Sequence, residues 1–168
     1  MNKVFGIKSD YALVRREASR TVVCYDYNEE EDGVNATWFE VYFYKNKVSQ
    51  PTLEQIKVSI QADIDSQTDD KSWHDFKFEG KPVCLEKSYR DDFKAVHDAA
   101  FMYPESVTFP QLFKLSEDEE HNAVYHEFAS MEELAQFYLG GLNWISYCVA
   151  EGWRRKAAIN YDDYEKLL

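Results

Sequence analysis

This chain of 168 residues has three cysteines, four prolines and six glycines. Cys24, Cys84 and Cys148 are scattered, odd in number and contain no C-x-x-C pair. That excludes a disulfide scaffold and the usual zinc or redox motifs, and reads as three reduced, mostly buried thiols. The glycines form no phosphate-cradling loop, and no serine or cysteine sits in a nucleophile elbow. Positive charge is scarce as well: 19 Lys and Arg stand against 31 Asp and Glu, a net charge of -12. With no basic stripe to interrupt it, that acidity repels a phosphate backbone and argues against nucleic-acid binding.

Long apolar runs are missing too. The nearest, Leu134 to Ala150, carries Gln136, Asn143 and Ser146 and follows Glu132 and Glu133, so it falls short of a bilayer span. At the start, "MNKVFGIKSD" offers only Val4 to Ile7 before Lys8, too little for a secretory core. The expectation is an intracellular, cytoplasmic product that needs no membrane and no cofactor.

Apolar residues are abundant, at 45% of the chain with 16% aromatic, and a folded domain follows. "RTVVCYDY" and "TWFEVYFY" are rich in β-branched and aromatic residues, and the polar "NEEEDGVNA" between them predicts a hairpin with a long loop. A short strand is expected around Val4 to Ile7. "FKFEGKPVCL" predicts a second hairpin, tight at Gly80, and "VTFPQLFKL" with "NAVYHEF" a third around the loop "SEDEEH".

Three helices are expected. Thr52 and Gln55 stand at capping-box spacing ahead of Leu53, Ile56, Ile60 and Ile64. Ser88 is positioned to cap a helix carrying Phe93, Val96 and Ala100. Ser130 and Glu133 open a long helix from Met131 to about Arg155, apolar nearly all round and expected to be the principal core helix. Gly140 and Gly141 within it call for the close approach of another backbone. The tail, with Tyr161, Tyr164 and Leu167 among acids, is expected to dock weakly. The organisation is α+β: antiparallel hairpins packed on the long C-terminal helix and two shorter ones. Residues 1–50 form an N-terminal hairpin region and 51–168 the rest of what reads as one continuous unit.

The order "TWFEVYFY", "PTLEQIK", "IDSQTDDK", "FEGKPVCL", "YHEFASMEELAQFY" and "EGWRRK", from Thr37 to Lys156, resembles a family of small phage and prophage proteins of gut bacteria. Those proteins carry a domain of unknown function that also occurs in phage tail and tail-fibre proteins. The resemblance implies a virion or assembly context, with other phage structural proteins as partners and no defined activity. The chain departs from the family at Cys84, where the family has Trp, and at Lys156-Ala157, where it has a Lys-Asp pair.

Candidate sites are few. On the aromatic strand, Phe39, Val41 and Phe43 share one face and should pack on the core helix, while Trp38, Tyr42 and Tyr44 share the other with Glu40. That second face must be covered by the same chain or by a partner, and a second copy is one such partner. "EGWRRK" supplies Trp153, expected to anchor the helix end in the core, and Arg154, Arg155 and Lys156, which complement the helix dipole. "NEEEDGVN" imitates an EF-hand loop, but the required position-12 Glu falls on Phe39. A rival reading is a small metal-dependent hydrolase using His121, His126 and Glu127, and another is a small-ligand-binding module. Function is expected to be non-enzymatic and to run through protein contacts.

Overall fold

A computed structural model describes residues 2–168 and shows an α+β fold. Strands β1 (Lys3–Ile7), β2 (Val14–Arg16), β3 (Arg20–Glu29) and β4 (Asn35–Tyr44) precede helix α1 (Leu53–His74). The short pair β5 (Lys77–Phe78) and β6 (Lys81–Pro82) leads to α2 (Lys87–Met102). Then come β7 (Gln111–Glu117), β8 (Ala123–Phe128), α3 (Met131–Ala158) and α4 (Asp162–Glu165). Among the described residues, no helix is long and apolar enough to cross a membrane. All three cysteines are free. The chain divides into two compact units, one made of the residues up to Gln67 with Gly152–Leu168, the other of Thr68–Glu151. The division falls within α1 and α3 rather than near residue 50.

The first unit is a four-stranded antiparallel sheet in the order β1-β4-β3-β2. Because side chains alternate, two-sided apolar strands need a cover on each face. On one face Val23, Tyr25, Val41 and Phe43 pack against Ile56, Ile60 and Ile64 of α1, with Phe39 partly buried beside them. The helix under the aromatic strand is therefore α1, whose isoleucines at four-residue spacing form a single stripe, and not the C-terminal helix expected. Its N-terminus carries both capping-box bonds: the Gln55 N–H donates to Thr52 Oγ1 at 3.2 Å and the Thr52 N–H to Gln55 Oε1 at 2.9 Å.

On the other face Val22, Cys24, Ala36 and Trp38 are buried under Val4, Tyr11 and Tyr27. The chain's own residues supply that cover. The tail docks more firmly than expected: Tyr164 is buried in the α1 side of the core and its hydroxyl donates to the Cys24 carbonyl at 2.8 Å. Gly6 of β1 lies under the Trp38 indole, and a Cβ there would sit 2.7 Å from Trp38 Cη2. Gly6→Ala should therefore displace the ring and lower stability by about 1–3 kcal/mol. A denaturation midpoint equal to that of the parent would show that the indole moves aside freely.

In the second unit β5 and β6 turn through Glu79 (φ 49°) and Gly80 (φ 78°). Two successive left-handed residues make this the tight hairpin expected at Gly80. Its core joins Val83, Leu85, Phe93, Leu115, Phe128, Leu134 and Phe137. Helix α2 begins at Lys87 with Glu86 in the cap position, two residues before the expected Ser88 cap. Leu85 is buried and its N–H is fixed on the Trp73 carbonyl at 2.7 Å, which sets the entry of the chain early.

At the start of α3 the Glu133 N–H donates to Ser130 Oγ at 3.3 Å, and the Glu133 carboxylate reaches back to the Ala129 N–H at 2.8 Å. The helix runs past Arg155 to Ala158. In this unit it is not apolar-buried all round: Leu134, Phe137 and Cys148 are covered, whereas Leu139, Leu142, Tyr147 and Val149 are exposed. Gly140 and Gly141 admit side chains rather than a backbone. Cβ atoms there would meet Phe76 Cζ at 3.3 Å and Leu85 Cδ2 at 3.4 Å.

Candidate functional site

Within the second unit, α2 turns Phe93 into the core and leaves Lys87, Arg90, Asp91 and Lys94 on its flank. Facing them, α3 presents Phe137, Tyr138, Gly141, Leu142 and Ile145, spaced to line one side of a helix. Leu85 completes the wall of a cleft of about 280 Å³. Gly141, with no side chain, leaves that cleft open at its middle. The floor is apolar and the polar wall is cationic. Lys87 pairs with Asp91 at 2.6 Å, and Lys94 pairs with Asp98. Arg90 is different: its Nε is buried and, among the described residues, has no hydrogen-bond partner. A desolvated donor left unpaired within the chain costs about 1–3 kcal/mol.

The sequence-predicted interface residues do not come together. Trp38 is 2% exposed and its indole N–H donates to Glu40 at 3.0 Å, so it has no surface to offer a partner. Tyr42 is half-buried, its hydroxyl donating to Glu40 at 2.8 Å with the Arg20 guanidinium 4.4 Å over its ring. Tyr44 is exposed.

Trp153 is 66% exposed and anchors nothing in the core. The last turns of α3, from Gly152 part of the first unit, turn Arg155 and Lys156 onto other residues of that unit and leave Trp153 outward. Arg155 donates to Asp26 at 2.8 Å and to Gln67 at 2.7 Å, and Lys156 pairs with Asp65. Arg154 is exposed. Two members of the cationic cluster are thus spent within the chain.

The three hydrolase candidates are also dispersed. His121 is exposed in the turn before β8 and has φ 62°; His126 is buried on the strand; Glu127 is exposed on the opposite side. His126 meets Lys81 Nζ at 3.1 Å through Nδ1 and Glu133 Oε1 at 2.8 Å through Nε2. An ammonium only donates, so Nδ1 accepts and Nε2 carries the proton given to Glu133. The Ala129 N–H first, and then His126, hold the Glu133 carboxyl below its ordinary range. Glu79 lies within ligating distance of His126 and Glu133, but the Lys81 charge already occupies that neighbourhood.

No protein-family model matches this chain, and no curated protein or solved structure matches it either. The cleft was missed in the sequence because α2 reads as an ordinary amphipathic helix. The available signal was Arg90, a cation between the i,i+4 pairs Lys87–Asp91 and Lys94–Asp98 with no carboxylate at i+4 of its own.

Proposed function

We propose that the chain is a non-catalytic recognition protein, whose α2/α3 cleft takes an apolar side chain of a partner protein while Arg90 receives a carboxylate beside it. The observation that carries this is the buried, unpartnered Arg90 Nε at the wall of an apolar cleft. Lys87 and Lys94 are neutralised by their own aspartates, so Arg90 is the cation in the wall with charge to spare. Leu142 lines the cleft and is itself exposed, with Leu139 and Val149 beyond it on the same helix. An apolar pocket rimmed by one fork-shaped donor is how a small anchor side chain gains both affinity and orientation. The likeness to phage tail-associated proteins accords with a role in assembly, but the reading rests on the cleft alone.

A random peptide library selected on the purified protein tests it. The expected consensus is a large apolar residue adjoining Asp or Glu, with affinity falling about tenfold or more in Arg90→Ala and in Leu142→Glu. A consensus without an acid, or binding indifferent to both substitutions, overturns the proposal. So does mass that rises with concentration and returns to the monomer in Leu142→Glu, which would make a second copy the occupant.

A further inference from the structure

We infer that His74, Cys84 and Glu86 form a binding site for a borderline-soft divalent cation of the zinc class, separate from the α2/α3 cleft. His74 is the last residue of α1, and Cys84 and Glu86 are two apart in the segment between β6 and α2. An extended segment puts residues two apart on one side. Two backbone bonds hold this segment in place: the Cys84 N–H donates to the Leu115 carbonyl at 2.8 Å, and the Leu85 N–H to the Trp73 carbonyl, next to His74, at 2.7 Å.

The three ligand atoms lie within 4.8 Å of one another, and His74 Nε2 is 3.2 Å from Glu86 Oε1. Around a tetrahedral ion with bonds of about 2.0–2.3 Å, neighbouring ligands stand roughly 3.3–3.8 Å apart, so a small inward movement closes the shell. The far side of the imidazole is already arranged for it. His74 Nδ1 lies 3.1 Å from the Asp70 carbonyl and 3.2 Å from its carboxylate. Those acceptors take a hydrogen bond from Nδ1, and Nε2 faces the Glu86 carboxylate, so a cation bound at Nε2 would sit between imidazole and carboxylate in the carboxylate–histidine arrangement that supports metal ligands.

Thiolate, imidazole and carboxylate together favour zinc over magnesium or calcium. The cleft beside the group, about 510 Å³ and lined also by Ser116, Glu117, Asp118 and His121, leaves the fourth position to water. Asp118 adds negative potential for a cation, while Glu117 is paired with Lys114 at 2.6 Å, whose positive charge also favours the Cys84 thiolate. Here the group differs from His126 with Glu79 and Glu133, where Lys81 sits against the imidazole.

The test is titration of the reduced, EDTA-treated full chain with Co2+ alone. One equivalent should bind with a thiolate-to-cobalt charge-transfer band and be displaced by Zn2+. Cys84→Ser should abolish the band, whereas His126→Gln should leave it unchanged. His74→Ala and Glu86→Gln should each weaken binding at least about tenfold, and Asp70→Asn, which acts only through His74, about 10–100-fold. Circular dichroism confirms that each variant is folded. A missing band in the parent chain, a band that survives Cys84→Ser, or affinity unmoved by both His74→Ala and Glu86→Gln overturns the inference.

Discussion

Glu40→Ala is expected to lower stability by about 2–4 kcal/mol, because it removes the acceptor around which one face of the first unit is organised. Glu40 is 4% exposed and accepts from Arg15 at 2.7 Å, Trp38 Nε1 at 3.0 Å and the Tyr42 hydroxyl at 2.8 Å. Cys24 Sγ lies 3.9 Å away, and burial pushes that thiol up to about 12. Removing the carboxylate leaves a buried indole N–H and a guanidinium without their partner. Breaking a buried pair from one side typically costs about 3–5 kcal/mol. The lower figure applies here because the Arg15 side chain keeps 30% of its surface in water.

The same carboxylate gives a pH signature. Burial works against its charge, but the donated bonds from Trp38, Arg15 and Tyr42 outweigh burial and hold the folded-state pKa below the ordinary 4.5. A group whose pKa is lower when folded contributes stability that is full above its unfolded pKa and is lost as pH falls through the folded one. The parent chain should therefore lose stability on acidification below about 4.5 more steeply than Glu40→Gln. Parallel acid profiles for the two would show that the Glu40 pKa does not fall on folding. Chemical denaturation of parent, Glu40→Gln and Glu40→Ala across that range measures both effects.

Much of the architecture was legible because it rests on local chemistry. The Thr52 and Gln55 box, the Glu79-Gly80 turn and the alternation of the aromatic strand each depend on residues a few positions apart. Tertiary partnership was not legible. Trp38, Glu40 and Tyr42 were readable as one face, but nothing local reveals that Arg15 and Tyr11 close over it. The long helix misled for the same reason: periodicity shows that Leu139, Leu142 and Val149 are apolar, not that the chain leaves them uncovered. Trp153 reads as an anchor of the helix end in the core, whereas the ion pairs of Arg155 and Lys156 set the rotation of that turn. His74 and Cys84 form no motif in sequence because a hairpin separates them and a backbone bond at Leu85 joins their segments.

Phe137→Ala carries the largest expected loss, about 3–5 kcal/mol. The ring is 1% exposed at the centre of the second unit, with centroids 4.9 Å from Phe93, 5.0 Å from Phe128 and 5.2 Å from Phe78. Its contacts with Phe93 and Phe78 are edge-to-face, each adding about 0.5–1.5 kcal/mol to the burial itself. Collapse cannot fill the space cheaply, since these neighbours arrive from α2, β5 and β8 and each is fixed by its own element. Phe137→Leu, which retains most of the apolar volume, should cost clearly less, so the difference between the two isolates the cavity. Because Phe137 also floors the α2/α3 cleft, Phe137→Ala deepens the pocket as it weakens the core. Arg90→Ala removes the charge without touching that core. Urea denaturation and peptide affinity measured on both variants separate the roles: loss of affinity with a midpoint that does not fall in Arg90→Ala, which also removes the unpaired donor, and a large downward midpoint shift in Phe137→Ala. Equal midpoints for parent and Phe137→Ala would mean that the aromatic cluster repacks, and that the cleft floor is softer than its ring geometry implies.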